Sequence, residues 1–175
     1  MLEKILLIDR LTETMGKTVR WFALLMVVLT CVVVALRYVF NLPSIALQES
    51  VTYLHASLFM LGAAYTWQQG SHVRVDVFYR SMSADNQKRV DRFGILLLLM
   101  PVCVFMLYSS WEYVNIAWSI REKSQEAGGL PFVYLLKTLI LIMPLTMLLQ
   151  AIAEFAKTFL PDTQNKQTDT EIHHG

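Results

Sequence analysis

The chain has 175 residues, 55% of them hydrophobic and 17% charged, with a formal net charge of +1. Its mean hydropathy of +0.44 exceeds what one small soluble core uses, and the excess calls for a bilayer as solvent. The balanced charge offers no basic patch for nucleic acid, and no stretch outside the apolar runs is large enough for a soluble catalytic domain.

A hydrocarbon layer about 30 Å thick takes about 20 helical residues per crossing. Four apolar runs of that size are present, at about 21–40, 47–67, 93–118 and 131–155. They predict an all-α membrane protein in which residues 1–160 form a single four-helix domain. The remainder, 161–175, is polar enough to be a disordered tail. Ahead of the first run, Leu2, Ile5, Leu11 and Met15 recur at helical spacing with Glu3, Lys4, Arg10, Glu13 and Lys17 on other faces. This segment is either an amphipathic helix in the headgroup layer or an extension of the first transmembrane helix. The first run is too long for a cleaved signal and lacks a small-residue cleavage site.

Between the second and third runs, Val73, Val75 and Val77 alternate with Arg74 and Asp76. A lone strand would have no partner, so a second interfacial helix over about 71–82 is expected, with Phe78 and Tyr79 as anchors. Ser83 is placed to cap the helix that runs into the third span. Gly128, Gly129 and Pro131 end the last connection and open the fourth span, while Pro101 and Pro144 fall inside spans and should bend them. Lys4, Arg10, Lys17 and Arg20 precede the first span. Arg74, Arg80, Lys88, Arg89 and Arg92 lie between the second and third, and Lys157 and Lys166 follow the fourth. The connection 41–46 has no basic residue and 119–130 has only Arg121 and Lys123. This distribution places both termini and the middle connection in the cytoplasm.

Four charges within the runs stand out: Arg37, Glu49, Glu112 and Lys137. All fall in the outer half, one from each helix, so they are expected to form a neutral ion-pair cluster. It is either an ion or proton site or a clamp between helices; charge balance, and the lack of a polar path through the inner half, favour the clamp. Gln48, Thr52, His55, Phe59, Gly62, Thr66 and Gln69 share one stripe and suggest a helix-packing seam, and Tyr108, Glu112, Asn115 and Ser119 form a similar one. His55 has no second intramembrane histidine with which to hold haem. Cys31 and Cys103 suit small apolar packing positions. No metal set, nucleophile–base pair or cofactor motif is present, so neither an enzyme nor a cofactor is expected.

Arg37-Tyr38-Val39-Phe40-Asn41, Gln48-Glu49 with Tyr53, Leu61-Gly62-Ala63-Ala64-Tyr65 and His72-Val73-Arg74-Val75-Asp76-Val77 occur in an order and spacing that covers nearly the whole chain. Together they resemble the small permease family (DctQ type) of TRAP transporters, the tripartite ATP-independent periplasmic systems. Gly128-Gly129-Leu130-Pro131, followed by Tyr134 and Lys137, resembles the subgroup labelled for mannitol or chloroaromatic transport. The resemblance implies a bacterial inner-membrane subunit partnered by a large DctM-type membrane subunit and a periplasmic substrate-binding protein, for sodium-coupled uptake of an organic anion. It also implies a scaffolding role, with Arg121, Glu122, Lys123 and Glu126 of the outer loop available for docking the binding protein. Two other classes compete: a self-contained proton-coupled exporter of the small multidrug type, and a membrane anchor of a respiratory enzyme.

Overall fold

The computed structural model describes residues 2–70 and 82–158. Among them there is no strand: the chain is all-α, in the order α1 (Leu2–Tyr38), α2 (Ile45–Gln68), α3 (Ala84–Gly94), a π-helical turn (Ile95–Leu99), α4 (Met100–Ser119) and α5 (Val133–Lys157). Three helical stretches are long and apolar enough to cross a membrane: Ile5–Tyr38, Asn86–Ser119 and Val133–Lys157. At 24 residues α2 has the length as well, but its polar stripe lowers its hydropathy. The expected interfacial segment 71–82, apart from Met82, and the tail 161–175 lie outside the described residues.

A separate headgroup helix before the first span is not what forms. Helical hydrogen bonding runs without a break from Leu2 to Tyr38, so the leading segment is an extension of the first long helix. Nothing between Met15 and Trp21 breaks a helix, and the segment has its own packing stripe: Ile5, Asp9, Thr12, Glu13, Gly16 and Val19 are buried at spacings of one, three and four. Gly16 is required there by close approach, since a Cβ would stand 2.6 Å from Tyr65 Cβ on α2.

α1 packs on α2, and α5 is the central helix, lying against α2, α1 and α4. A compact core forms where Ala64, Cys103 and Met147 meet beneath Ala63, Trp67, Leu99 and Leu148. The π turn directly precedes Pro101. Proline has no N–H and its ring collides with the carbonyl four residues back; a wider turn, closed by Met100 N–H donating to Ile95 O, relieves both effects at that point. The rod from Ala84 to Ser119 thus continues through its proline.

Two helix ends are closed by left-handed residues. After α1, Asn41 (φ 54°) lets Leu42 N–H donate back to Leu36 O at 2.9 Å, and after α4, Arg121 (φ 46°) lets Glu122 N–H donate to Ala117 O at 2.9 Å. Asn tolerates this conformation, whereas for arginine it costs about 1–2 kcal/mol. Arg121→Gly should remove that strain, and after the greater backbone freedom of glycine is subtracted a gain of about 0.5–1 kcal/mol remains. A higher thermal midpoint in detergent is the expected measurement, and Arg121→Val should lower it.

Candidate functional site

At the end of the bundle carrying the connections 39–44 and 120–132, Glu49 holds the longer connection down. Ser124 Oγ donates to Glu49 Oε1, and Leu130 N–H donates to Oε2 at 2.6 Å. The connection is also bonded to itself: Ser124 N–H to Leu130 O at 3.1 Å, Gly129 N–H to Glu126 O at 3.0 Å and Glu126 N–H to Ser124 Oγ at 3.2 Å. Gly129 is confined by this arrangement, because a Cβ would fall 2.6 Å from Ser124 Cβ and 2.7 Å from Glu49 Oε1. The Gln48-Glu49 and Gly128-Gly129-Leu130-Pro131 motifs therefore meet in one latch.

Beside the latch, Lys137 Nζ pairs with Glu122 at 2.5 Å and stands 4.0 Å from the centre of the Tyr113 ring. Trp118 Nε1 donates to Thr138 Oγ1 at 2.9 Å and stacks edge-on against Tyr134, with ring centroids 4.8 Å apart. These contacts tie α4 to α5. The four charges singled out in the sequence are thus not brought into one cluster: Glu49 serves the latch, Lys137 pairs with Glu122 rather than Glu112, and Arg37 and Glu112 are exposed without an ion pair among the described residues. Of the connection's charges, Glu122 is occupied, while Arg121, Lys123 and Glu126 are exposed.

A second polar network, missed in the sequence, lies at the opposite end, among the start of α1 and the last turns of α2 and α5. Asp9 is wholly buried. Its Oδ1 accepts from Gln150 Nε2 at 2.9 Å and from Gln68 Nε2 at 3.3 Å, and its backbone carbonyl accepts from Gln68 Nε2 at 3.0 Å. Lys157 Nζ lies 3.0 Å from Asp9 Oδ2 and donates to Glu154 Oε1 at 2.9 Å, while Thr12 Oγ1 donates to Gln150 Oε1 at 2.9 Å. Arg92 Nε donates to Thr158 Oγ1 at 2.9 Å, joining the start of the α3–α4 rod to the end of α5. This network was not foreseen from the sequence, in which no polar path through the inner half is apparent. One signal was available: Gln150, Glu154 and Lys157 recur every three or four residues and so share a stripe of α5.

Both polar stripes point outward. At about 100° per residue, Tyr108, Glu112, Asn115 and Ser119 lie on the side of α4 opposite its buried residues Cys103, Val114 and Ala117. On α2, Thr52, His55 and Phe59 are exposed, and a Cβ added at Gly62 would meet no atom within 4 Å. Ala64, the buried residue of α2, is on its other side. A groove bordered by Gly16, Val19, Arg20, Phe59, Gly62 and Thr66 runs between α1 and this stripe.

The family model for the DctQ component of tripartite ATP-independent periplasmic transporters matches residues 26–160. The chain belongs to the DctQ family. No curated protein and no solved structure matches it. As a DctQ-type chain it is a transporter component and a membrane protein, of a family that works with a DctM subunit and a substrate-binding protein. The latch residues, the Lys137 pair and the buried Asp9–Lys157 network all fall on helices or connections that this match reaches, except for Asp9 and Thr12, which precede it.

Proposed function

We propose that this DctQ-type chain is the static scaffold subunit of its transporter and does not itself carry substrate. The observation that supports this is the occupation of its inward-facing charges. Glu49 is engaged by a connection, Lys137 by Glu122, and Asp9 and Glu154 by Lys157. Each set ties chain segments together, as a brace does. Substrate movement then belongs to the DctM-type partner, driven by sodium and delivering an organic anion handed over by the binding protein.

The charges also suggest how the chain sits in the bilayer, with α2 as a fourth span. At 1.5 Å per residue, Arg20 and Arg37 are about 26 Å apart along α1, and Glu49 and Gln68 about 28 Å apart along α2. Arg92 and Glu112 are about 30 Å apart along the α3–α4 rod, and Lys137 and Glu154 about 26 Å apart along α5. Four helices thus carry polar groups at two levels separated by close to a hydrocarbon thickness. Basic residues concentrate on the side holding the start of α1 and the end of α5, which makes that side cytoplasmic. The latched connection then faces the periplasm and presents Arg121, Lys123 and Glu126 to the binding protein.

Reconstitution tests the division of labour. Liposomes holding this chain alone should show no sodium-driven uptake with any binding protein, and liposomes holding it with the DctM-type subunit and the loaded binding protein should accumulate substrate. Uptake by the chain alone would overturn the scaffold reading.

A further inference from the structure

The groove between α1 and α2 lies on a face that a lone membrane protein would not leave open. His55 is about 9 Å along α2 from Glu49 and about 20 Å from Gln68, within the apolar layer, and it is exposed with no hydrogen bond among the described residues. An ionisable side chain at that depth ordinarily faces protein rather than lipid. Two turns further along the same stripe, about 10 Å away, Gly62 on the groove leaves room for a side chain from outside, since a Cβ built there meets nothing within 4 Å. Small residues with a polar neighbour are what closely packed membrane helices place at their contacts.

We propose that this groove seats one transmembrane helix of a different chain, the large subunit of the transporter. The proposal rests on the scaffold reading. The chemistry of the groove describes its occupant: an apolar helix that inserts a side chain over Gly62, brings a hydrogen-bonding group level with His55 and ends near a carboxylate level with Arg20. Arg20 is exposed on the groove's rim, and no carboxylate is among the residues lining it. Two copies of this chain share one orientation in the bilayer, so pairing groove to groove would bring Arg20 level with Arg20 and no counter-charge between them. Charge complementarity therefore selects a different chain over a second copy.

Phe59 on the groove and Phe105 on α4 are equally exposed, each at 68%, and provide a matched pair of positions. The full chain, tagged, is co-expressed with the large subunit and carries a photoreactive phenylalanine analogue at position 59 or 105. Crosslinking to the large subunit from position 59, at least tenfold above that from 105, is expected. Gly62→Leu supplies the second arm: with open space at that Cβ the chain alone should keep its helical signal and elution volume, while recovery of the large subunit on the tag drops at least tenfold. If the large subunit fails to co-purify even with the unaltered chain, the scaffold reading falls and the groove proposal with it. If co-purification is normal but Gly62→Leu leaves it unchanged, or crosslinks arise from 105 instead, the groove proposal alone is overturned. Crosslinked pairs of this chain from position 59 would likewise overturn it, in favour of a second copy.

Discussion

Lys157→Met is expected to destabilise the chain by about 3–5 kcal/mol, because it removes the cation from a dry network and leaves two carboxylates behind. Asp9 is fully buried and Lys157 is 6% exposed, and Nζ stands 3.0 Å from Asp9 and 2.9 Å from Glu154. Methionine matches the length of the lysine stem and carries no charge. Breaking a buried pair strands the remaining charge, whereas removing both members together is far milder. Asp9→Asn added to Lys157→Met should therefore restore much of the loss, since Gln150 and Gln68 can still bond to the amide and Glu154, at the edge of the network, reaches solvent. Thermal unfolding in detergent, followed by helical circular dichroism, checks both. A single variant as stable as the parent would mean that water reaches Asp9.

The second large effect is expected at the latch. Glu49→Ala deletes the acceptor for both Ser124 Oγ and Leu130 N–H, so the connection 120–132 loses its tether to α2 and keeps only its internal bonds. The Leu130 amide should exchange with solvent roughly ten- to a hundredfold faster, as a lost charge-assisted bond allows. Exchange at Ala64 and Met147, in the core, should not change. Gly129→Val should reproduce the effect through steric conflict with Ser124 and Glu49. On the proposal that the connection docks the binding protein, either variant should raise the binding-protein concentration needed for half-maximal uptake by the assembled transporter while leaving the complex intact, because charges on a loosened support lose their register. Slow Leu130 exchange in Glu49→Ala would show that the internal bonds suffice to hold the connection.

The helices were legible because an apolar run of fixed length is a local property. The observed α2 and α5 begin and end within a few residues of the runs at 47–67 and 131–155, while the rod Ala84–Ser119 ends beside the run at 93–118 but starts nine residues before it. The continuity of α1 was half legible: the spacing of Ile5, Leu11 and Met15 announced a helix, but a hydrophobic stripe does not say whether lipid or protein covers it. Of those three Ile5 is buried while Leu11 is exposed, and Asp9, one turn after Ile5 and one turn before Thr12, was the clue that protein covers the Ile5 side. The pairing of charges was not legible. Lys137 meets Glu122 because the connection folds back over α5, and that fold depends on the Glu49 latch 75 residues away from Ser124. Likewise Asp9 and Gln150 are 141 positions apart, and no periodicity within one helix encodes such a meeting. The outward direction of the stripe through Thr52 and His55 was also invisible, since a seam against a neighbour in the same chain and one against another chain have the same spacing.

The wide turn at Ile95–Leu99 makes the rod one residue longer there than α geometry needs. Its two flanks, which place Arg92 on Thr158 and Cys103 in the core, are therefore out of phase with a single uniform helix by about 100°. Indel tolerance should follow from this. Deleting one leucine from Leu96–Leu99, with Pro101→Ala to restore the missing donor, would let the turn relax to α while both flanks keep their faces. The same deletion at Phe105 would swing one flank by about 100° and pull either Arg92 or the helix end at Trp118 off its partner.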